Sequence, residues 1–328
     1  MSLIFKSNEA MRILTLFGLV VVISGCAGAG VETSMAAPSA GPAVSLTETP
    51  RPTPTNVPPT EVAGRPFDGQ KALARVEAQV NMGDRSPGGP SHSAIQAWIV
   101  SQLQAAGWGE RSQAFVYKGA DLINVIGTSG ATQSPYLILG AHYDNRPVAD
   151  QARIPDPGPV PGANDGGSGV AVLLGLADAF PPGTLGCRVD LAFFDGEDSG
   201  ELQGWDWVVG STYMAQHLAD KPAGVVIVDM VGDSDLTLYY ERNSDPSLRQ
   251  EIWHTAAKLG YGAFVPEEKY TMIDDHTPFL NAGIPSVDII DFDYPYWHTP
   301  QDTIDKVSSG SLEAVGRTLQ GWLKARCG

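Results

Sequence analysis

Between Met11 and Cys26 the apolar residues alternate with nothing. "MRILTLFGLVVVISGC" is one apolar run with a single basic residue, Arg12, near its start. It is too short to span a bilayer comfortably and has the length of a signal-peptide core. Over residues 27–65 the hydrophobic pattern disappears: there are seven prolines, many Thr, Ser and Ala, and hardly any large apolar side chain. Such a segment cannot bury enough surface to offset its ordering entropy, and it reads as a flexible, partly extended tether. From Pro66 to Gly328 the pattern becomes regular, and that length suffices for one large α/β domain with a real core.

Within the domain, "FDGQKALARVEAQVNMG" and "SAIQAWIVSQLQAAGWG" carry helical apolar spacing and end near glycine. "GDRSPGGPS" between them is a loop by composition. "SQAFVYK" and "ADLINVIGT" alternate as the two strands of a hairpin. Continuous apolar strands then alternate with helices. "PYLILGAHY" predicts a strand, "SGVAVLLGLADAF" a helix, "RVDLAFFD" a strand, "VVGSTYMAQHLA" a helix and "AGVVIVDMVG" a strand. After "DLTLYYE" come the helix "DPSLRQEIWHTAAKLG", the strand "IPSVDII" and the closing helix "GSLEAVGRTLQGWLKA". This order predicts a three-layer α/β/α domain around a mixed, mainly parallel sheet.

Charge and cysteines narrow the chemistry. The chain has 21 basic against 37 acidic residues, a formal charge of −16, which argues against a nucleic-acid partner and against a basic membrane-docking face. After Cys26 only Cys187 and Cys327 remain, one opening an apolar strand and one at the frayed C-terminus, so two unconnected thiols are expected. No C-x-x-C occurs, which removes a cysteine-based zinc site. "ISGC" resembles the lipobox of bacterial lipoproteins, in which the signal is cut before the cysteine and the cysteine is lipidated. That resemblance implies a signal peptide over residues 1–26 and an extracytoplasmic protein anchored to the bacterial cell membrane through Cys26; a monomer is expected. An ordinary secretory signal is the alternative.

The polar residues of the domain collect at strand ends, where ligands bind in open α/β sheets. "PYLILGAHYD" delivers His142 and Asp144, and "PGANDGGSGV" places Asp165 just before a helix. "LAFFDGED" puts three acids within four positions, ending in Glu197 and Asp198, and "VVIVDMVG" delivers Asp229. "IDDHTPF" holds Asp274, Asp275 and His276, and "YPYWHTPQD" holds His298. Each has a plain alternative: Asp165 as a helix cap, Asp229 as a turn residue, His298 as a half-buried histidine, the acid pair as a solvated turn. Together at one sheet edge those alternatives become improbable, because crowded carboxylates repel one another. Acids with histidines describe a divalent-cation site, and the cation removes the repulsion; His plus carboxylate suits zinc.

The order "AHYD", "GANDGGSG", "FFDGED", "VVIVDM", "WHT" resembles the zinc aminopeptidases of the M28 family and their relatives, the glutaminyl-peptide cyclotransferases. The resemblance covers nearly all of the domain. It implies that Asp165, Asp198 and His298 bind zinc and that Glu197 is the catalytic acid/base; the second acid of the pair is commonly Glu, here Asp198. An aminopeptidase would use two zinc ions about 3.5–4 Å apart bridged by Asp165, with His142 and Asp229 completing the other site. A cyclase needs one zinc: the α-amine of an N-terminal glutamine attacks its own side-chain amide while Glu197 moves the proton. Three features favour the cyclase. Trp297 precedes His298, the insert "SGELQGWDWVV" offers Trp205 or Trp207 to pack the substrate, and "DDHTPFL" resembles a cyclase motif that would pair Asp274 with Asp229. Ordinary core packing is the alternative for the tryptophans. The substrates implied are peptide or protein N-termini, and a catalytically dead binding lipoprotein is the remote third reading.

Overall fold

The computed structural model describes residues 65–328. The signal, Cys26 and nearly all of the tether lie outside the described residues. Two helices come first, α1 (Gly69–Met82) and α2 (His92–Ala105). α1 is capped by Asp68, whose side chain accepts the Lys71 N–H at 3.0 Å. The hairpin β1 (Gly109–Tyr117) and β2 (Ala120–Thr128) follows in full register.

The alternating part then runs β3 (Tyr136–His142), α3 (Gly167–Ala179), β4 (Arg188–Phe194), α4 (Val209–Gln216) and β5 (Gly224–Asp229). Next come β6 (Leu238–Tyr240), α5 (Pro246–Leu259), β7 (Phe264–Glu268), α6 (Thr277–Asn281), β8 (Ser286–Ile290) and α7 (Ser309–Cys327). The main sheet has the order β1-β2-β4-β3-β5-β8. β4, β3, β5 and β8 are mutually parallel; β2 runs antiparallel to β4 and to β1. β6 and β7 form a separate two-stranded sheet.

Both faces of the central strands are buried, so their sequences read as unbroken apolar runs. The pleat still sorts them. Leu137, Leu139, Val189, Leu191, Phe193, Val226 and Val228 enter the larger core, which includes residues of α1, α2, α3, α5 and α7. Ile138, Ala192, Phe194, Val225 and Ile227 enter the smaller one beside Met214 and Phe279 of α4 and α6. α3 packs tightly against the sheet because Gly169 has no side chain: a Cβ there would lie 2.3 Å from the Val228 carbonyl oxygen.

Sequence reading missed two short elements. β7 contains Pro266 and ends in two glutamates, which is not strand composition, and α6 is too short to display a helical period. The cysteine expectation is corrected. Cys187 and Cys327 form a disulfide with their Cα atoms 4.9 Å apart, across 140 positions of sequence. The fold returns the end of α7 to the start of β4, where the Gly186 N–H donates to the Cys327 carbonyl at 2.9 Å. Nothing local in the sequence announces that approach.

Candidate active site

β3 leads into β4 on one side and β5 lies on its other side, so the crevice at their carboxyl ends is a topological switch point. Gly140 pairs with Ile227, so two residues further on His142 and Asp229 arrive at the same level. The His142 Nε2 lies 3.2 Å from Asp229 Oδ1 and 3.2 Å from Asp165 Oδ1. His298, in the loop after β8, puts its Nε2 3.1 Å from Asp198 Oδ1 and 3.7 Å from Asp165 Oδ2. Two triads thus share Asp165: His142–Asp165–Asp229 and Asp165–Asp198–His298, each with its donor atoms within 4.8 Å of one another.

Two further carboxylates pin the backbone beneath these groups. Asp144 accepts the N–H of Glu197 on one oxygen at 3.2 Å and the N–H of Asp198 on the other at 3.1 Å. Asp302 does the same for Asn164 at 2.8 Å and Asp165 at 3.1 Å, and is itself held by the Tyr294 hydroxyl at 2.6 Å. Gly166 takes a positive φ of 69°, and a Cβ there would stand 3.0 Å from the His142 ring. The chain therefore turns from Asp165 into α3 directly against the histidine.

The first acid of "FFDGED" has a different job. Asp195 is turned away and meets His92 Nε2 at 2.8 Å and the Ile123 N–H at 2.7 Å. Only Glu197 and Asp198 face the site, and the chain separates three neighbouring acids into two environments.

The donor atoms fit a divalent cation. Asp165 Oδ2 and both oxygens of Asp198 are buried without a hydrogen-bond partner, which an isolated protein interior does not tolerate cheaply. Burial, then the Asp165 charge, pushes Asp198 up to about 6 against the pull of His298. Burial pushes Asp229 up to about 7, with His142 opposing and Asp274 adding to the rise. Burial, with the charges of Asp198, Asp275 and Asp274, holds Glu197 well above the ordinary glutamate value despite the opposing His142 charge. Asp165 goes the other way: burial resists, but the His142 hydrogen bond and charge keep it below the usual carboxylate range. A bound cation favours the charged form of every one of these carboxylates.

Above the acids is a cavity of about 180 Å³ walled by Trp207, Met230, Phe292 and Trp297, with Glu197 and Asp274 on its polar side. Trp297 stacks on His298 with ring centres 3.7 Å apart, and Trp207 faces the same imidazole at 6.0 Å. Trp205 is a correction: it is absent from that wall and packs edge-on against Tyr117 at 5.1 Å. The expected Asp274–Asp229 pairing is corrected too. Asp274 lines the cavity and raises Asp229 through its charge, but among the described residues its Oδ1 accepts from the Asp275 N–H and no hydrogen bond joins it to Asp229. His276 lies in another buried cluster, 3.3 Å from Glu241 and 3.7 Å from Asp288.

Sequence reasoning did not assign Arg146, Asp150 or Asp302. Arg146 grips Asp150 with two bonds, at 2.9 and 2.6 Å, donates to the carbonyls of Asp198 and Gly200, and lies over Trp207 at 4.8 Å. The i, i+4 pair inside "NRPVAD" was its only local signal.

The chain matches the model of peptidase family M28 over residues 124–323. It is 30% identical over 273 residues to leupeptin-inactivating enzyme 1 of Streptomyces exfoliatus, covering 80% of this chain and 54% of that protein. The chain thus spans about half the length of that relative. The solved structure of glutaminyl cyclase from Porphyromonas gingivalis superposes with a TM-score of 0.74 and 35% identity, covering 79% of this chain and 98% of its own. That of a leucine aminopeptidase precursor from Bacteroides thetaiotaomicron gives 0.76 and 31%, covering 80% and 99%.

Proposed function

This chain belongs to peptidase family M28, and we propose that it is a glutaminyl-peptide cyclotransferase, converting N-terminal glutamine to pyroglutamate with release of ammonia. One observation carries the choice over an aminopeptidase. Asp165 Oδ2 and both Asp198 oxygens make no aligned hydrogen bond, Asp198 Oδ1 meeting His298 Nε2 only as a charge contact at 3.1 Å, whereas His142 and Asp229 hydrogen-bond each other at 3.2 Å. This pattern supports one metal ion, held by Asp165, Asp198 and His298, with His142 and Asp229 as hydrogen-bonding neighbours. Zinc bound there supplies a Lewis acid for the side-chain amide oxygen of the substrate.

The chain's own residues do the rest. Glu197 takes a proton from the α-amine as its nitrogen attacks the side-chain amide carbon, and returns it to the departing amide nitrogen, which leaves as ammonia. The new C–N bond closes the lactam; the peptide bond is untouched. A raised Glu197 pKa suits a group that must both accept and donate that proton. Trp207, Trp297 and Phe292 hold the glutamine side chain in an apolar cavity and keep hydrolytic water out.

The second reading, a two-metal aminopeptidase, is favoured by the presence of both triads around Asp165. Mass spectrometry of peptides beginning with glutamine and with leucine decides between them: loss of ammonia from the first with no cleavage of the second is expected, and release of leucine with unreacted glutamine peptide overturns the proposal.

We further propose that the domain acts outside the cytoplasm, lipid-anchored through Cys26. The Cys187–Cys327 disulfide supports an oxidising compartment. Cys26→Ala should release the protein from the membrane fraction or block its processing; unchanged membrane association removes the anchor.

A further inference from the structure

Trp207 closes the active-site cavity on one side and a second hollow on the other. This second hollow, of about 260 Å³, is open to solvent and lies between the outermost strand β1 and helix α4. Phe115, Val116 and Tyr117 form its strand wall, and Val209, Tyr213 and Gln216 its helix wall. Phe115 and Tyr213 stack at 4.3 Å with planes 10° apart, which makes a rigid aromatic surface. The one carboxylate at its edge, Asp206, accepts from the Tyr117 hydroxyl and has Lys118 3.9 Å away, so its charge is answered locally. Apart from Thr212 and Gln216, what remains to be covered is aromatic or aliphatic.

Exposure points the same way. Among the described residues the two most exposed large apolar side chains are Val116 and Ile273, each 68% exposed, and each lines one of the two hollows. Exposed apolar groups lie on either side of Trp207. Two residues of extended chain span roughly 7 Å, enough to lead from one side of an indole to the other.

We propose that the β1–α4 hollow is a subsite for the second or third residue of the substrate peptide, and that it selects a bulky apolar or aromatic side chain there. The inference rests on the reading of the site as one that takes peptide N-termini. It adds a specificity element that the one-residue cavity does not contain. Lys and Glu side chains gain nothing from the stacked Phe115–Tyr213 surface, whereas a phenylalanine or leucine transfers apolar area out of water.

The test is a panel of glutamine peptides carrying Ala, Leu, Phe or Glu at the second or the third position, with kcat/KM for cyclisation as the readout. Wild type should prefer Phe over Ala by about five- to tenfold at one of the two positions, as partial burial of one side chain supplies. Val116→Asp, on an exposed site that cannot compromise the core, and Tyr213→Ala should each bring that ratio close to one. Glutaminamide, which has no downstream residue, should react at the wild-type rate in both variants. A wild-type ratio within twofold at both positions, or a preference that survives Val116→Asp, overturns the subsite. If wild type cyclises no glutamine peptide, the cyclase reading itself fails; the same panel with leucine first then reads the hollow through hydrolysis, by the same ratio and the same variants.

Discussion

Asp150 Oδ1 lies 3.1 Å from His298 Nδ1, the ring nitrogen facing away from the metal triad, while Nε2 lies 3.1 Å from Asp198. A carboxylate at that distance favours the tautomer with its proton on Nδ1, leaving Nε2 free to ligate, although the contact is one of charge and not an aligned hydrogen bond. Arg146 in turn fixes Asp150 with two bonds and Asp198 through its carbonyl, so one cation braces both a ligand's backbone and a ligand's orienting partner. Asp150→Ala is therefore expected to weaken zinc binding by about 10- to 100-fold while leaving the fold intact, since its side chain is part-exposed. Competition against a chelator of known affinity measures this. An affinity within twofold of wild type means that Trp297 stacking alone orients the histidine.

Glu197→Gln separates proton transfer from metal binding. Glutamine keeps the shape and cannot shuttle a proton, so turnover should fall by about 10²–10⁴-fold with metal content unchanged. The charge it removes stands among Asp198, Asp274 and Asp275, all of which raise Glu197. The variant should accordingly melt no lower than wild type. A near-normal rate removes Glu197 from the mechanism.

Most of the fold was legible because the central strands are buried on both faces and their helices amphipathic or wholly apolar; periodicity reports both conditions directly. The ligands were legible because a strand end is a place where sequence position translates into spatial position. Asp302 was not: it sits four residues after His298 in chain order, but its work is done on the amides of Asn164 and Asp165, 138 and 137 positions away. The Cys187–Cys327 pairing failed for the same reason, a contact between distant termini of elements. Trp205 and Trp207 are two apart and have equal composition signals; the segment between them and α4 is irregular, with left-handed residues at Gln203 and Val208, so no strand or helix period tells which of them reaches the cavity.

Metal affinity and metal-free stability should depend on pH in opposite directions. Burial holds folded Asp198 at about 6 and Asp229 and Asp302 at about 7, above the ordinary aspartate value, so the native state binds more protons than the unfolded chain across that window. The stability these groups contribute is fully present below about pH 4 and is lost as pH rises through 6 to 7. The thermal midpoint of zinc-stripped protein should fall over that range. Zinc binding must expel the proton of Asp198, so its affinity should rise over the same range with release of at least one proton, measurable by calorimetry in buffers of differing ionisation enthalpy. With saturating zinc the downward trend of the midpoint should flatten. A pH-independent zinc affinity between pH 5 and 8 contradicts this reading.

The number of metal ions is the sharpest consequence of how the two triads differ. Both share Asp165, and both have histidine and carboxylate donors, so composition does not distinguish them. Their hydrogen bonding does. His142 Nε2 is satisfied by Asp229, and its Nδ1 lies 3.1 Å from the Asp144 carbonyl, so that histidine is already fully engaged by the protein. Neither oxygen of Asp198 makes an aligned hydrogen bond, although Oδ1 stands 3.1 Å from His298 Nε2. A cation at Asp165–Asp198–His298 replaces the His298–Asp198 charge contact and satisfies buried oxygens that make no hydrogen bond; one at His142–Asp165–Asp229 must first break the His142–Asp229 hydrogen bond. Elemental analysis of purified protein should give about one zinc per chain, with Asp198→Ala and His298→Ala losing it. His142→Ala should keep it, because its role is to hold Asp229 by a hydrogen bond. Two zincs in wild type falling to one in His142→Ala would establish the second triad as a metal site and return the aminopeptidase reading to first place.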